Sequence, residues 1–230
     1  YELSERQAAE SKGVIKEVIG LRNNFEKVNR AKKEMEKENK RLLVQSETDP
    51  LTGMANRRKL NVQADDMFMN ALEAGHNFAI EILDVDYFKE YNDNYGHQAG
   101  DKCLIEIAEC IREVAMAHGG FCSRYGGDEF VIIYEAVSKE EAESYAAQLS
   151  QKVLNLNIAH RYSKAMPIVT ISQGMFCDVP HKENRVWEFL HIADEVLYSV
   201  KSENRNSYSV MDREEYLTLS EQVSEPVKLF

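Results

Sequence analysis

Arg124-Tyr125-Gly126-Gly127-Asp128-Glu129-Phe130-Val131-Ile132-Ile133-Tyr134-Glu135 is the stretch on which the fold turns. Glu129–Glu135 is short, rich in β-branched and aromatic residues and bounded by turn residues, so it reads as a strand. Phe121–Tyr125 reads as a second strand, and Gly126-Gly127 as the tight turn that joins the two into a hairpin. Upstream, Asn77–Asp84 (NFAIEILD) is a third strand, and alternation puts Asp84 on the face of Ile80 and Ile82. Helical periodicity marks Ala55–Ala74, Gly100–His118, Ser138–Leu154 and Trp187–Ser202, with Ser138 and Glu141 spaced as a capping box. A short helical stretch follows Asp84, and Pro167–Phe176 and Asn206–Val210 complete the strands. Strands alternating with helices around one tight hairpin predict an α/β (α+β) domain with a mixed, mainly antiparallel central sheet flanked by helices.

Residues 1–48 follow a different rule. They hold 11 basic against 9 acidic residues, whereas the remainder holds 17 against 30. Val14, Leu21, Val28, Met35 and Leu42 recur at every seventh position, with Val18 and Phe25 in the second apolar register, which Lys32 and Asn39 continue. That period predicts a long coiled-coil helix, about 43 Å from Val14 to Leu42 at 1.5 Å per residue. So narrow a stripe needs a partner helix, and Asn39 suits a parallel homodimer. The expected organisation is therefore a coiled-coil helix over 1–48, a mixed α/β domain over 49–211 and a weakly structured tail over 212–230.

Composition narrows the function. Across 230 residues the formal net charge is −11, a poor balance for gripping a nucleic-acid backbone, so no nucleic-acid partner is expected. Cys103, Cys110, Cys122 and Cys177 form no CxxC pair, which argues against a zinc site or a disulfide framework and for a reducing, cytoplasmic setting. No apolar run reaches the length of a membrane span and no signal peptide is visible. The chain opens on Tyr1, so a fragment of a longer protein is expected, with an upstream sensor and an open question of membrane anchoring there.

Two acidic groups stand at strand ends. Asp84 closes one strand and Asp128-Glu129 follows the hairpin turn. Either alone suits an ordinary strand end or helix cap. If the strands are neighbours, however, three carboxylates gather at one end of the sheet and repel one another unless cations intervene. Hard oxygen ligands select Mg²⁺ or Mn²⁺ completed by substrate phosphates, and a pair of such ions about 3.5–4 Å apart serves in-line displacement at phosphorus. Gly126 and Gly127, lacking Cβ, let a substrate lie close over the turn.

These residues resemble the GGDEF family of diguanylate cyclases. Arg124–Phe130 contains the name motif, and Asp49-Pro50-Leu51-Thr52-Gly53-Met54-Ala55-Asn56-Arg57-Arg58 is similar to the family's opening turn. Asp84-Val85-Asp86-Tyr87-Phe88-Lys89, Asn92-Asp93, Gly96-His97 and Gly100-Asp101 resemble its second block in order and spacing. Thr170–Gly174, Ala193-Asp194-Glu195, Leu197-Tyr198, Lys201 and Arg205-Asn206 resemble its later motifs, so the likeness runs from about Thr48 to Met211.

The resemblance implies a nucleotidyl-cyclase, palm-like fold that condenses two GTP into cyclic di-GMP across a dimer of half-sites and releases two pyrophosphates. It implies Asp84, the Val85 carbonyl and Asp128 as ligands of two Mg²⁺ (or Mn²⁺) ions per site. It makes Asp128 the base for the 3′-hydroxyl, with Glu129 as a second ligand or helper and their division of labour open. Asn92 and Asp101 correspond to its guanine-reading pair, a chemistry that fits because a carboxylate accepts from N1–H and N2–H₂, which adenine does not offer. The N–H groups of Tyr87, Phe88 and Lys89 would cradle the terminal phosphates, with Lys201 and Arg205 adding charge from a helix end. Two departures stand out. The family's Arg-x-x-Asp product-inhibition site would fall in Ala117–Phe121, which holds neither residue, and Asn204 replaces a usual Gly, where a left-handed backbone is expected. A catalytically silent GTP-binding module is the alternative, although such modules usually lose the motif acids retained here. A cyclase of mixed-purine products is a third reading, against which Asp101 speaks.

Overall fold

The computed structural model describes residues 22, 24–38 and 46–224, and the chain divides into two compact units, Tyr1–Ser46 and Glu47–Phe230. In the first, residues 22 and 24–38 are helical (α1). Phe25, Val28 and Met35 are about two-thirds exposed on it, while Arg22–Glu26 and Lys32–Glu36 pair one turn apart. The remaining heptad positions Val14, Val18, Leu21, Asn39 and Leu42 lie outside the described residues.

The second unit runs β1 (Ala55–Asn56), α2 (Arg57–Ala74), β2 (Phe78–Val85), α3 (Phe88–Tyr95), α4 (His97–Ala117), β3 (Phe121–Gly126) and β4 (Glu129–Glu135). It continues through α5 (Lys139–Asn155), β5 (Ile171–Asp178), α6 (Val186–Glu203), β6 (Tyr208–Met211) and α7 (Arg213–Ser224). The strands form one sheet in the order β1-β3-β4-β2-β5-β6, antiparallel except at the two outer pairs. It is the mixed, mainly antiparallel sheet that the alternation of elements predicts.

β2 sits inside the sheet, and all eight of its residues are buried. Its even positions Phe78, Ile80 and Ile82 pack with α2 and α6, whereas Ala79, Leu83 and Val85 pack under α4 and α5. Helices therefore cover both faces, which explains why the strand reads as an almost unbroken apolar run. α6 lies so close on β5 that a Cβ on Gly174 would stand 2.2 Å from Leu197 N and 2.6 Å from Ala193 O. We expect Gly174→Ala to destabilise the domain by about 1–3 kcal/mol, because the obstacle is helix backbone that no rotamer change relieves. An unchanged urea midpoint would contradict that close contact.

Three local expectations are corrected. Ala55-Asn56 is not helical but pairs with β3, and Asn56 caps α2 by accepting from Arg58 and Lys59 N. The strand expected from Pro167 begins only at Ile171, since Ile168 bridges Ala159 and Thr170 O accepts from Asp86 N. Residues 213–224 of the expected weak tail form α7 instead, and 225–230 lie outside the described residues. Asp212 Oδ1 accepts from Glu215 N at 3.0 Å and Glu215 Oε2 from Asp212 N at 3.4 Å, a capping box at the helix start. Tyr216 then packs on Phe176 and donates to Glu195.

Candidate active site

The site is built where β2 ends beside the β3–β4 turn. Asp84 is the direct cross-strand partner of Glu129, and Val85 N donates to Asp128 O at 3.4 Å. The two acidic segments, 44 positions apart in sequence, are thus neighbours. Asp84 Oδ2 lies 2.9 Å from Lys201 Nζ of α6. Burial pushes the Asp84 carboxyl up to about 6; Lys201 opposes the rise, and Asp128 and Asp86 add repulsion. The three motif carboxylates share one end of the sheet, where Asp84 pairs with Lys201. Among the described residues no three His, Cys, Asp or Glu side chains form a metal-holding group. Two crowded carboxylates and a main-chain carbonyl nevertheless fit Mg²⁺, which takes one or two carboxylates and completes its shell with water and substrate phosphates.

An open groove of about 520 Å³ adjoins these acids, lined among others by Lys89, Asn92, His97, Asp101, Gly127 and Asp128. It brings together the expected guanine-reading pair and the hairpin acid. Asn92 Oδ1 is buried with no hydrogen-bond partner among the described residues. It occupies the space of an absent side chain, since a Cβ on Gly100 would fall 1.9 Å from it. Above Gly126 and Gly127 the space is open, with nothing within 4 Å of a Cβ built on either. Arg124 braces the turn from behind: Nε and Nη2 donate to Gly127 O at 2.9 and 2.6 Å, and Nη1 to both Asp49 oxygens. Burial pushes the Asp49 carboxyl upward, but bonds from Thr52 and Arg124 more than offset it and hold it below its usual range.

Tyr87, Phe88 and Lys89 open α3, and no side chain caps its first amides. Arg205 lies just past the C-terminal end of α6, its N–H still donating to Val200 O at 3.1 Å. α6 stops at Glu203, and Arg205 stands in a left-handed turn (φ 46°) 3.5 Å from Asp86, its guanidinium 4.8 Å from the centre of the Tyr87 ring. The left-handed residues are Arg205 and Asn206, whereas Asn204 has φ −138°; the expectation for Asn204 is corrected by one position.

A family model described as "Diguanylate cyclase, GGDEF domain" matches residues 46–207. The chain belongs to the GGDEF family. Among curated relatives it is 34% identical over 171 residues to the bifunctional diguanylate cyclase/cyclic di-GMP phosphodiesterase MucR of Pseudomonas aeruginosa (74% of this chain, 24% of that protein). It is 32% identical over 160 residues to the response regulator PleD of Caulobacter vibrioides (70% and 35%). The chain thus spans about a quarter to a third of the length of these relatives. Among solved structures it resembles the coiled coil and GGDEF domain of DgcB from Caulobacter crescentus in complex with c-di-GMP. That likeness has 25% identity and a TM-score of 0.74, covering 83% of this chain and 99% of that one. It also resembles the diguanylate cyclase SiaD of Pseudomonas aeruginosa in complex with its activator SiaC, with 25% identity and a TM-score of 0.65, covering 90% and 78%.

The GGDEF domain also holds a residue whose place the sequence reading left unassigned. Asp86, fully buried, accepts from Thr170 Oγ1 and Ser172 Oγ at 2.7 Å each and from Asn206 N at 2.9 Å. It ties the segment after β2 to β5 and to the turn after α6. The available signal was the pair of alternations Asp84-x-Asp86 and Thr170-x-Ser172, whose polar members interrupt apolar strands.

Proposed function

We propose that this GGDEF domain is a diguanylate cyclase half-site that joins two GTP molecules into cyclic di-GMP when a second copy faces it. The observation that carries the reading is the adjacency of the Asp84 and Asp128 segments beside the groove holding Asn92 and Asp101. The curated relatives' names support it. Asn92 and Asp101 would read the guanine edge; a wrong base would leave buried polar groups unpaired, at about 1–3 kcal/mol each. The amides of Tyr87, Phe88 and Lys89 would hold the terminal phosphates at an uncapped helix start. Asp84, the Val85 carbonyl and Asp128 would hold divalent cations, Mg²⁺ or Mn²⁺, which when bound supply charge neutralisation and make a hydroxyl more acidic. Asp128 would accept the 3′-hydroxyl proton, with Glu129 beside it, as that hydroxyl attacks the α-phosphorus held by the facing half-site and pyrophosphate leaves. Lys201 and Arg205 would add positive charge near the phosphates, Lys201 by exchanging Asp84 for an incoming anion.

One domain holds one GTP, so turnover requires encounter of two. The coiled coil over 1–48 would supply it by raising the local concentration of the second half-site, ahead of the catalytic domain over 49–211. An upstream sensor would act through that coil, and free cysteines throughout the described residues suit a cytoplasmic setting. No helix among those residues is long and apolar enough to cross a membrane.

The test is product formation from GTP and Mg²⁺ at several protein concentrations. Cyclic di-GMP should form at a rate that rises faster than linearly with protein until dimers saturate, and should cease on chelation of the metal. GTP binding without any cyclic dinucleotide under dimeric conditions would identify a silent module. An adenine-containing product would overturn the roles of Asn92 and Asp101.

A further inference from the structure

Tyr87 opens α3 in a left-handed conformation (φ 55°), which a residue with a Cβ resists and which therefore needs an outside restraint. Its carbonyl accepts the helix bond from Tyr91 N at 3.0 Å. The second bond to that carbonyl comes from far away. His160, in the loop between α5 and β5, brings Nε2 to 3.0 Å from Tyr87 O. A carbonyl only accepts, so Nε2 carries the hydrogen.

The ring that makes this bond is rigidly held. His160 is fully buried, and its ring meets Tyr91 edge-on at 5.2 Å. The bridge Ala159–Ile168 and the bonds His160 N to Pro167 O and Arg161 N to Tyr95 Oη fix its loop. Nδ1 is buried with no partner, so this polar side chain is kept inside the protein with the Tyr87 carbonyl as its only hydrogen-bond partner among the described residues. The Arg205 guanidinium lies against the Tyr87 ring, 4.8 Å from its centre.

We propose that His160 is a positioning residue for the terminal phosphates of the nucleotide. By pinning the Tyr87 carbonyl it holds the left-handed turn, and that turn aims the amides of Tyr87, Phe88 and Lys89 toward one point. The inference rests on the nucleotide reading above and adds a residue that touches no substrate. Its signature is selective: the β- and γ-phosphates should feel it, and the guanine end should not.

The experiment compares binding of GMP and of a GTP analogue with a methylene bridge between its α and β phosphorus atoms, in Mg²⁺, to the full chain and its variants. His160→Ala should weaken the analogue roughly tenfold, the size of one lost hydrogen bond, and change GMP less than about twofold. His160→Gln, whose amide nitrogen reaches the Nε2 position, should restore most of the loss, whereas His160→Asn, which reaches only Nδ1, should not. In turnover the same variants should raise KM for GTP more than they lower kcat. Equal losses for GMP and the analogue in folded variants, or rescue by Asn as good as by Gln, would overturn the proposal. Should His160→Ala not fold, the Gln and Asn pair carries the comparison alone. A wild-type chain that binds neither probe would overturn the nucleotide reading itself, a result separate from any ratio between variants.

Discussion

Asp84→Asn is expected to lower cyclic di-GMP formation roughly a hundredfold to a thousandfold, the usual cost of removing one preorganised charge-stabilising group, while making the metal-free protein more stable. The two effects share a cause. Asp84 is nearly buried, and Asp86 and Asp128 crowd it; Lys201 relieves only part of the cost. Its carboxyl, raised from 3.8 to about 6, releases its proton less readily in the folded chain than in the unfolded one. The penalty for charging it therefore begins as pH passes 3.8 and levels off above about 6. At pH 7 an Asn of the same shape should gain about 1–3 kcal/mol in the presence of chelator. Activity and the melting temperature, measured on one preparation, should move in opposite directions. A variant that loses stability along with activity would mean that the Asp84–Lys201 pair holds the fold together and that the acid is structural.

The reason a costly acid stands there is legible in the chain only in part. That Asp84 ends a strand follows from the apolar run before it, and the Gly-Gly turn announces the hairpin that brings Asp128 beside it. Strands at the centre of a sheet carry their own pattern, which is why β2, β3 and β4 begin and end within one residue of the sequence reading. The misplaced elements are those whose pairing is settled elsewhere. Ala55-Asn56 looks helical by composition but pairs with Ser123 and Arg124, nearly seventy positions away. Residues 167–170 look like strand yet serve the Asp86 loop and the Ala159 bridge. α7 was legible in principle, through Asp212 and Glu215, but its helix is marginal until Tyr216 docks on Phe176. His160 carried no local signal at all, because among the described residues the one hydrogen-bond partner of its ring is a carbonyl 73 positions earlier. Chemistry at strand ends can be read from one chain, whereas the props behind it depend on contacts that only the fold creates.

Glu81→Gln should stabilise the domain by an amount that grows with pH, from less than about 1 kcal/mol near pH 5 to on the order of 3 kcal/mol at pH 7. Glu81 lies in the middle of β2, opposite Ile132 and Met175 on the face covered by α4 and α5. It is fully buried, and neither carboxylate oxygen has a hydrogen-bond partner among the described residues. Burial pushes it up to about 8, from 4.5. The folded chain therefore keeps a proton that the unfolded chain releases between pH 4.5 and 8, and stability falls as pH rises through that window. Gln keeps the shape and cannot titrate, so its stability should be nearly flat across the same range, with the two curves meeting near pH 4.5. Tyr134, whose hydroxyl is also buried without a hydrogen-bond partner among the described residues and which burial, then Glu81, pushes above its ordinary range, should not reproduce the effect as Phe, since the Tyr134 hydroxyl stays neutral throughout. Parallel urea titrations of the wild type and Glu81→Gln at four pH values decide the matter. Curves that stay parallel from pH 5 to 8 would show that the Glu81 carboxyl ionises in the folded protein as freely as in water, and that its burial is relieved by groups outside the chain.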